Sequence, residues 1–328
     1  MRTFLKVLMY GGIILVLAIT FFFIWFKITY PKVGPAKTVK VEATPERIAR
    51  GEYLALHVSV CMHCHSTMDK NSWGLPVIAG TFGKGGEKFG HDMAFPGEIY
   101  ARNITPAGIS TWTDGELIRA ITCGVDNKGK TLFNLMPYEN YREMGDEDVK
   151  SIIAYIRSLP AIKNDVPATS IDFPVSMFIQ AKPAEAAPQK IPERRDSLDY
   201  GKYLVQIAGC KICHTAVDDH HEFIKGTDFG GGQEFLFPNG DKVRSGNITP
   251  DLETGIGNLS IDDFVQKFKQ YDNDEANHRP IKGHEFKTMM PWLMYAGMDE
   301  TDLRSIYKYL RTLKPIKNKV EKFNPAGS

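Results

Sequence analysis

Two short clusters hold the residues best able to do chemistry: Cys61-Met62-His63-Cys64-His65 and Cys210-Lys211-Ile212-Cys213-His214. Two thiols three positions apart, followed at once by an imidazole, form the attachment pattern for c-type haem. The thiols add to the two vinyl groups on one edge of the macrocycle, and the adjoining histidine is placed to ligate the iron. Cys61, Cys64, Cys210 and Cys213 are therefore expected to bind two haem c groups covalently, with His65 and His214 as proximal iron ligands. A zinc site built from four thiolates is the rival chemistry. It is disfavoured because the pairs lie far apart, one in each of two repeated units, and because each carries the extra histidine. The fifth cysteine, Cys123, stands alone and reads as a small buried hydrophobe.

The second axial position decides what such an iron does. With one protein ligand it binds external molecules; with two it mainly passes electrons. Soft thioether sulfur suits the position and raises the reduction potential relative to two nitrogen ligands. Met136 and Met290 are the expected ligands, since each precedes a proline and an aromatic, in Met136-Pro137-Tyr138 and Met290-Pro291-Trp292. Met289 is an adjacent competitor. Met144 and Met298 also match each other, but packing is their simpler role. For Asn103, Thr105, Asn247 and Thr249 two roles stay open: contact with haem propionates, and pinning of the loop that carries the methionine. His63 is expected to be exposed. His57, His91, His220, His221, His278 and His284 have no counterparts between the clusters' surroundings and read as surface or structural.

The elements that must position these residues occur twice. Gly51, Tyr53 and Leu54 match Gly201, Tyr203 and Leu204; Gly85-Gly86 matches Gly231-Gly232; Asn103-Ile104-Thr105-Pro106 matches Asn247-Ile248-Thr249-Pro250. Asp148 to Leu159 matches Asp302 to Leu313. Each copy opens with a helix, the first marked by Thr44-Pro45-Glu46 as cap, first-turn proline and early acid. Each closes with one whose apolar residues fall at helical spacing, Val149, Ile152, Ile153 and Ile156, then Leu303, Ile306, Leu310 and Leu313. Mostly helix and loop, with little sheet, is expected. Residues 161–196 are rich in proline and read as an extended linker, with Phe173, Met177, Phe178 and Ile179 resting on a domain surface.

The chain has 328 residues, enough for two ordinary domains, and its 43% apolar content suits a globular protein. Forty basic and 39 acidic residues give a formal charge of +1, which makes no electrostatic case for nucleic acid. Val7 to Phe26 is nearly all apolar, matching the roughly 20 residues that span a bilayer as a helix. It ends in large aromatics with no small-x-small cleavage site, so a retained membrane anchor in contact with lipid is expected rather than a removed signal peptide. Orientation is not legible from charge: Arg2 and Lys6 precede the run, but Lys27, Lys32, Lys37 and Lys40 follow it.

Together, Cys-x-x-Cys-His, Gly-Gly, Asn-Ile-Thr-Pro, Met-Pro-aromatic and the closing Tyr-Ile/Leu-Arg-x-Leu helix resemble the class I c-type cytochromes. The closest resemblance is to the multihaem cytochrome c subunits of membrane-bound alcohol, aldehyde and gluconate dehydrogenases, and the run Asn247 to Gly257 is especially near. With its anchor, the whole chain is similar to two-haem cytochromes of Bacteroidetes-type bacteria. The resemblance implies a mainly α fold, an N-terminal transmembrane helix followed by two tandem class I cytochrome c domains. The expected divisions are an anchor at 1–30, a stalk at 31–44, domains at 45–160 and 197–316, the linker between them and a tail at 317–328. It further implies a single-pass protein of the cytoplasmic membrane with both domains in the periplasm. The expected role is electron relay, without substrate chemistry, to or from a dehydrogenase, a quinol-oxidising complex or a terminal oxidase. A haem enzyme such as a dihaem peroxidase, or an integral subunit of a larger complex, is the alternative. The chain departs from the dehydrogenase subunits in having two haem motifs where three are common, and Trp112 of the first copy is matched by Leu259 in the second.

Overall fold

A computed structural model describes residues 1–195, 197–218, 222–272 and 279–327. Helix α1, Arg2–Thr29, is long and apolar enough to cross a membrane, and none of its residues is buried against the rest of the chain. The extended residues after it do not hang free. The Gly34 amide donates to Glu185 at 2.6 Å and the Val41 amide to Asp114 at 2.8 Å.

Each copy repeats one helical plan. In the first, α2 (Pro45–Tyr53) is capped by the Thr44 hydroxyl, which accepts from the Arg47 amide. The helical path widens through Leu54–Val58 and leads into the single turn α3 (Cys61–Cys64). Helix α4 (Asp114–Cys123) begins with a reciprocal Thr113–Glu116 capping box. Helix α5 (Asp146–Ser158) opens with three acids at its positive end. In the second copy these become α6 (Ser197–Ile207), α7 (Cys210–His214), α8 (Ile261–Lys269, with a Ser260–Asp263 capping box) and α9 (Glu300–Leu310). The opening helix of each copy crosses its closing helix, α2 on α5 and α6 on α9. At the two crossings Gly51 and Gly201 leave no space for a side chain: a Cβ would collide with the carbonyl of Ser151 or Ser305. That packing is why glycine stands at both positions.

Among the described residues, sheet is confined to two small antiparallel sheets. Strands β1 (Lys88–Phe89), β2 (Gly97–Tyr100) and β3 (Ser170–Ile171) form one, and β4 (Glu234–Leu236), β5 (Lys242–Arg244) and β6 (Phe323–Asn324) the other. The third strand of each comes from chain beyond the closing helix, so both the expected linker and the expected tail continue the copy they follow. Two expectations fail here. Phe173 and Phe178 do not rest on the body but are 72% and 59% exposed, and only Ile179 is buried, at 7%.

The copies share one continuous apolar core, with Leu54, Tyr141, Ile153, Tyr203, Tyr295 and Leu303 among its members. Polar groups cross between them in reciprocal fashion. The Tyr53 hydroxyl donates to Asp302 at 2.7 Å, and the Tyr203 hydroxyl donates to Asp148 at 2.7 Å. Each phenol oxygen also accepts a backbone amide, from Asp299 to Tyr53 and from Gly145 to Tyr203. Asp148 and Asp302 are 2% and 1% exposed, so their charge must be met inside. Arg50 meets Asp148 through two bonds, at 2.9 and 3.0 Å, and Arg194 meets Asp302 at 3.0 Å.

Candidate functional site

One helical turn brings residues three apart to the same face, so α3 presents Cys61 with Cys64 and α7 presents Cys210 with Cys213. Each turn is entered through a left-handed residue, Val60 (φ 44°) in the first copy and Gly209 (φ 69°) in the second. All four thiols are free. Burial, followed by the second thiol of the pair, pushes Cys61 and Cys210 up to about 12.

The two histidines are held alike. Nδ1 of His65 lies 2.7 Å from the Arg102 carbonyl, and Nδ1 of His214 lies 2.7 Å from the Gly246 carbonyl. A carbonyl only accepts, so Nδ1 must carry the proton and Nε2 keeps its lone pair for a metal. Burial pushes both imidazoles below their ordinary value, which favours the neutral, ligating form.

The loop behind each histidine is equally repeated. The amides of Gly85 and Gly231 donate to the carbonyls of His65 and His214, both at 2.8 Å. These glycines have φ of +68° and +73°, and a Cβ would strike the backbone at Arg102–Asn103 or Gly246–Asn247. The close approach that requires the Gly-Gly pairs is thus to the chain's own backbone. Asn103 donates to the Ile162 carbonyl at 2.8 Å, and Asn247 to the Ile316 carbonyl at 2.6 Å. Their side-chain carbonyls accept both the amide and the hydroxyl of Thr105 and of Thr249. Both ends of each amide are engaged, so the two asparagines pin the loop to the chain leaving the closing helix.

Met136 and Met290 are half-buried against the shared core. The following prolines have nearly the same backbone, φ −80°, ψ 50° at Pro137 and φ −78°, ψ 60° at Pro291. The amides of Tyr138 and Trp292 then fold back onto the carbonyls of Met136 and Met290 at 2.8 Å. Met289 points elsewhere, into a separate cluster with Met68, Phe237 and Val243. Met144 and Met298 are fully buried in the core.

No family model matches the sequence. It is 28% identical over 303 residues to the fructose dehydrogenase cytochrome subunit of Gluconobacter japonicus, covering 87% of this chain and 56% of that one. It is 29% identical over 290 residues to the gluconate 2-dehydrogenase cytochrome c subunit of Pantoea cypripedii, covering 83% and 60%. A diheme cytochrome c-type of Cereibacter sphaeroides is 27% identical over 271 residues, covering 73% and 88%. These three relatives are cytochrome subunits of dehydrogenases and a diheme cytochrome c. The chain spans less than two thirds of the length of the dehydrogenase subunits it matches. These relatives support electron transfer by a cytochrome, and each dehydrogenase relative is named as the cytochrome subunit.

The residues present fit haem c. Each copy offers paired free thiols on one turn, a neutral imidazole with Nε2 available and a half-buried thioether. The Tyr138 hydroxyl, two residues after Met136, is buried without a partner among the described residues, and a bound polar group would satisfy such an orphan. Other histidines have structural explanations. His57 reaches the Met294 carbonyl at 2.8 Å across the two copies; His91 sits between Glu98 and Asp172; His284 meets buried Asp241. His63, expected to be exposed, is half-buried, and burial pushes it down to about 4. His220, His221 and His278 lie outside the described residues. Arg50, Tyr53, Asp148, Tyr203 and Asp302 were missed as a working set. Tyr53 and Asp148 were visible only as landmarks of the repeat, which says nothing about pairing across it.

Proposed function

We propose that this chain is a membrane-anchored dihaem cytochrome c that relays single electrons, with a dehydrogenase as one redox partner. Cys61 and Cys64 hold one haem and Cys210 and Cys213 the other; His65 with Met136 and His214 with Met290 are the axial ligands. Bound in this way, haem c supplies a one-electron iron couple. The observation that carries the reading is the duplicated attachment turn, in which each histidine gives Nδ1–H to a backbone carbonyl and keeps Nε2 for iron. The relatives named as dehydrogenase cytochrome subunits support the partner, and the apolar exposed helix α1 supports the anchor. The asparagines contribute rigidity: they hold the loops against which each imidazole rests. Both domains would face the periplasm, where haem attachment takes place in the family this chain resembles.

The test is a pyridine haemochrome assay with electron paramagnetic resonance on the purified full-length chain. Two thioether-linked haems per polypeptide are expected, both low-spin. Met136→Ala and Met290→Ala should each convert one iron, and not the other, to high spin. One haem per chain, or unaltered spectra in both variants, would refute the assignment. A high-spin ferric signal in the unaltered protein would point to peroxidase-like chemistry instead.

A further inference from the structure

The two attachment turns are joined to each other through a chain of hydrogen bonds that electron relay by separate domains would not need. The Tyr141 hydroxyl donates to the Ser59 carbonyl at 3.1 Å, and the Tyr295 hydroxyl donates to the Ala208 carbonyl at 2.9 Å. Ser59 and Ala208 are equivalent, each two residues before the first cysteine of its pair. Ser59 alone has a hydroxyl, and it crosses between the copies to the Ile207 carbonyl at 3.2 Å. The path therefore runs from Tyr141 through Ser59 to Ile207–Ala208 and on to Tyr295. Ser59, Tyr141 and Tyr295 are all buried. The Asn140 side chain adds a neighbouring bond to the Gln206 carbonyl at 3.0 Å.

We propose that Ser59, with Tyr141 and Tyr295, is a positioning device that locks the two attachment turns edge to edge, so that one electron passes between the two haems inside a single chain. With haem bound, ferrous iron in one copy would become ferric as ferric iron in the other became ferrous, with no proton moved. The inference rests on the dihaem reading above. Because the thioether bonds fix each macrocycle by one edge to its turn, movement of a turn moves its haem. The Ser59 hydroxyl crosses at this buried joint, directly between the two turns, so its loss bears on their separation.

The experiment uses the full-length chain in detergent, with haem content measured first. A content other than two per chain would strike down the dihaem reading itself, and is seen before the positioning claim is tested. Pulsed dipolar resonance on the oxidised protein should then give one narrow iron–iron distance. Flash reduction by a photoexcited flavin should show an exchange phase whose rate does not depend on protein concentration. Ser59→Ala copies what position 208 already has and keeps the fold. It should broaden the distance and slow exchange about tenfold, equal to about 1.4 kcal/mol on the barrier. Tyr141→Phe should act in the same direction. Both variants should keep two low-spin haems. A broad distance in the unaltered protein, exchange only between molecules, or variants indistinguishable from it would overturn the proposal.

Discussion

Tyr53 and Tyr203 each hold a buried carboxylate of the other copy, and each loses a charge-assisted bond when its hydroxyl is removed. Tyr53→Phe or Tyr203→Phe should cost about 1.5–3 kcal/mol, read as a lower urea midpoint at neutral pH. The same phenols confer a pH dependence. Burial and then Asp302 push Tyr53 far above its usual range, and burial and then Asp148 do so for Tyr203. An unfolded tyrosine ionises near about pH 10. The stabilisation is complete below that pH and is lost as pH rises towards the folded values, because only the unfolded chain sheds the protons. Urea melts at stepped alkaline pH should therefore fall more steeply for the unaltered protein than for the double phenylalanine variant. Parallel curves would dismiss the idea. The asparagine pins make a different prediction. Asn247→Ala leaves the Thr249 amide without its acceptor and takes the shorter of two bonds from the Thr249 hydroxyl; it should cost about 1–3 kcal/mol, seen as a lower melting temperature while the haem-to-protein ratio is unchanged.

At the scale of elements, the opening and closing helices were legible from the cap at Thr44 and from apolar residues at helical spacing, whereas α4 and α8, begun by the capping boxes at Thr113 and Ser260, were not singled out. The strands were not, since β1, β3 and β6 are two residues long, and β3 and β6 exist only through pairing with distant chain. Phe173 and Phe178 misled for a related reason: apolar character predicts burial only where a surface is present to receive it. The two Cys-x-x-Cys-His turns stood out in the sequence because that pattern is local. The hydrogen-bond partners of Asn103 and Asn247 were not, because Ile162 and Ile316 contribute backbone carbonyls that every residue possesses. Gly51 and Gly201 appeared as landmarks without a reason until the crossing helices supplied one. Gly51→Ala or Gly201→Ala should prise α2 from α5 or α6 from α9 at about 1–3 kcal/mol or more, read as lost folded yield. Gly11→Ala, which meets nothing within 4 Å, is the matched control.

For the molecule as a whole, α1 is long and apolar enough to cross a membrane, and the shared core joins the two copies. Removing residues 1–30 should move the protein from the membrane to the soluble fraction with its visible spectrum intact; retention on membranes would contradict the anchor. The shared core has a further consequence. Tyr53 meets Asp302 as the matching Tyr203 meets the matching Asp148, so at these bonds each half offers the other the same groups. That is the rule of an isologous dimer, in which one patch is its own complement. Residues 161–196 join halves that already match, so cleavage at a protease site placed beside Lys190 should leave two fragments that still elute together, each with its own haem.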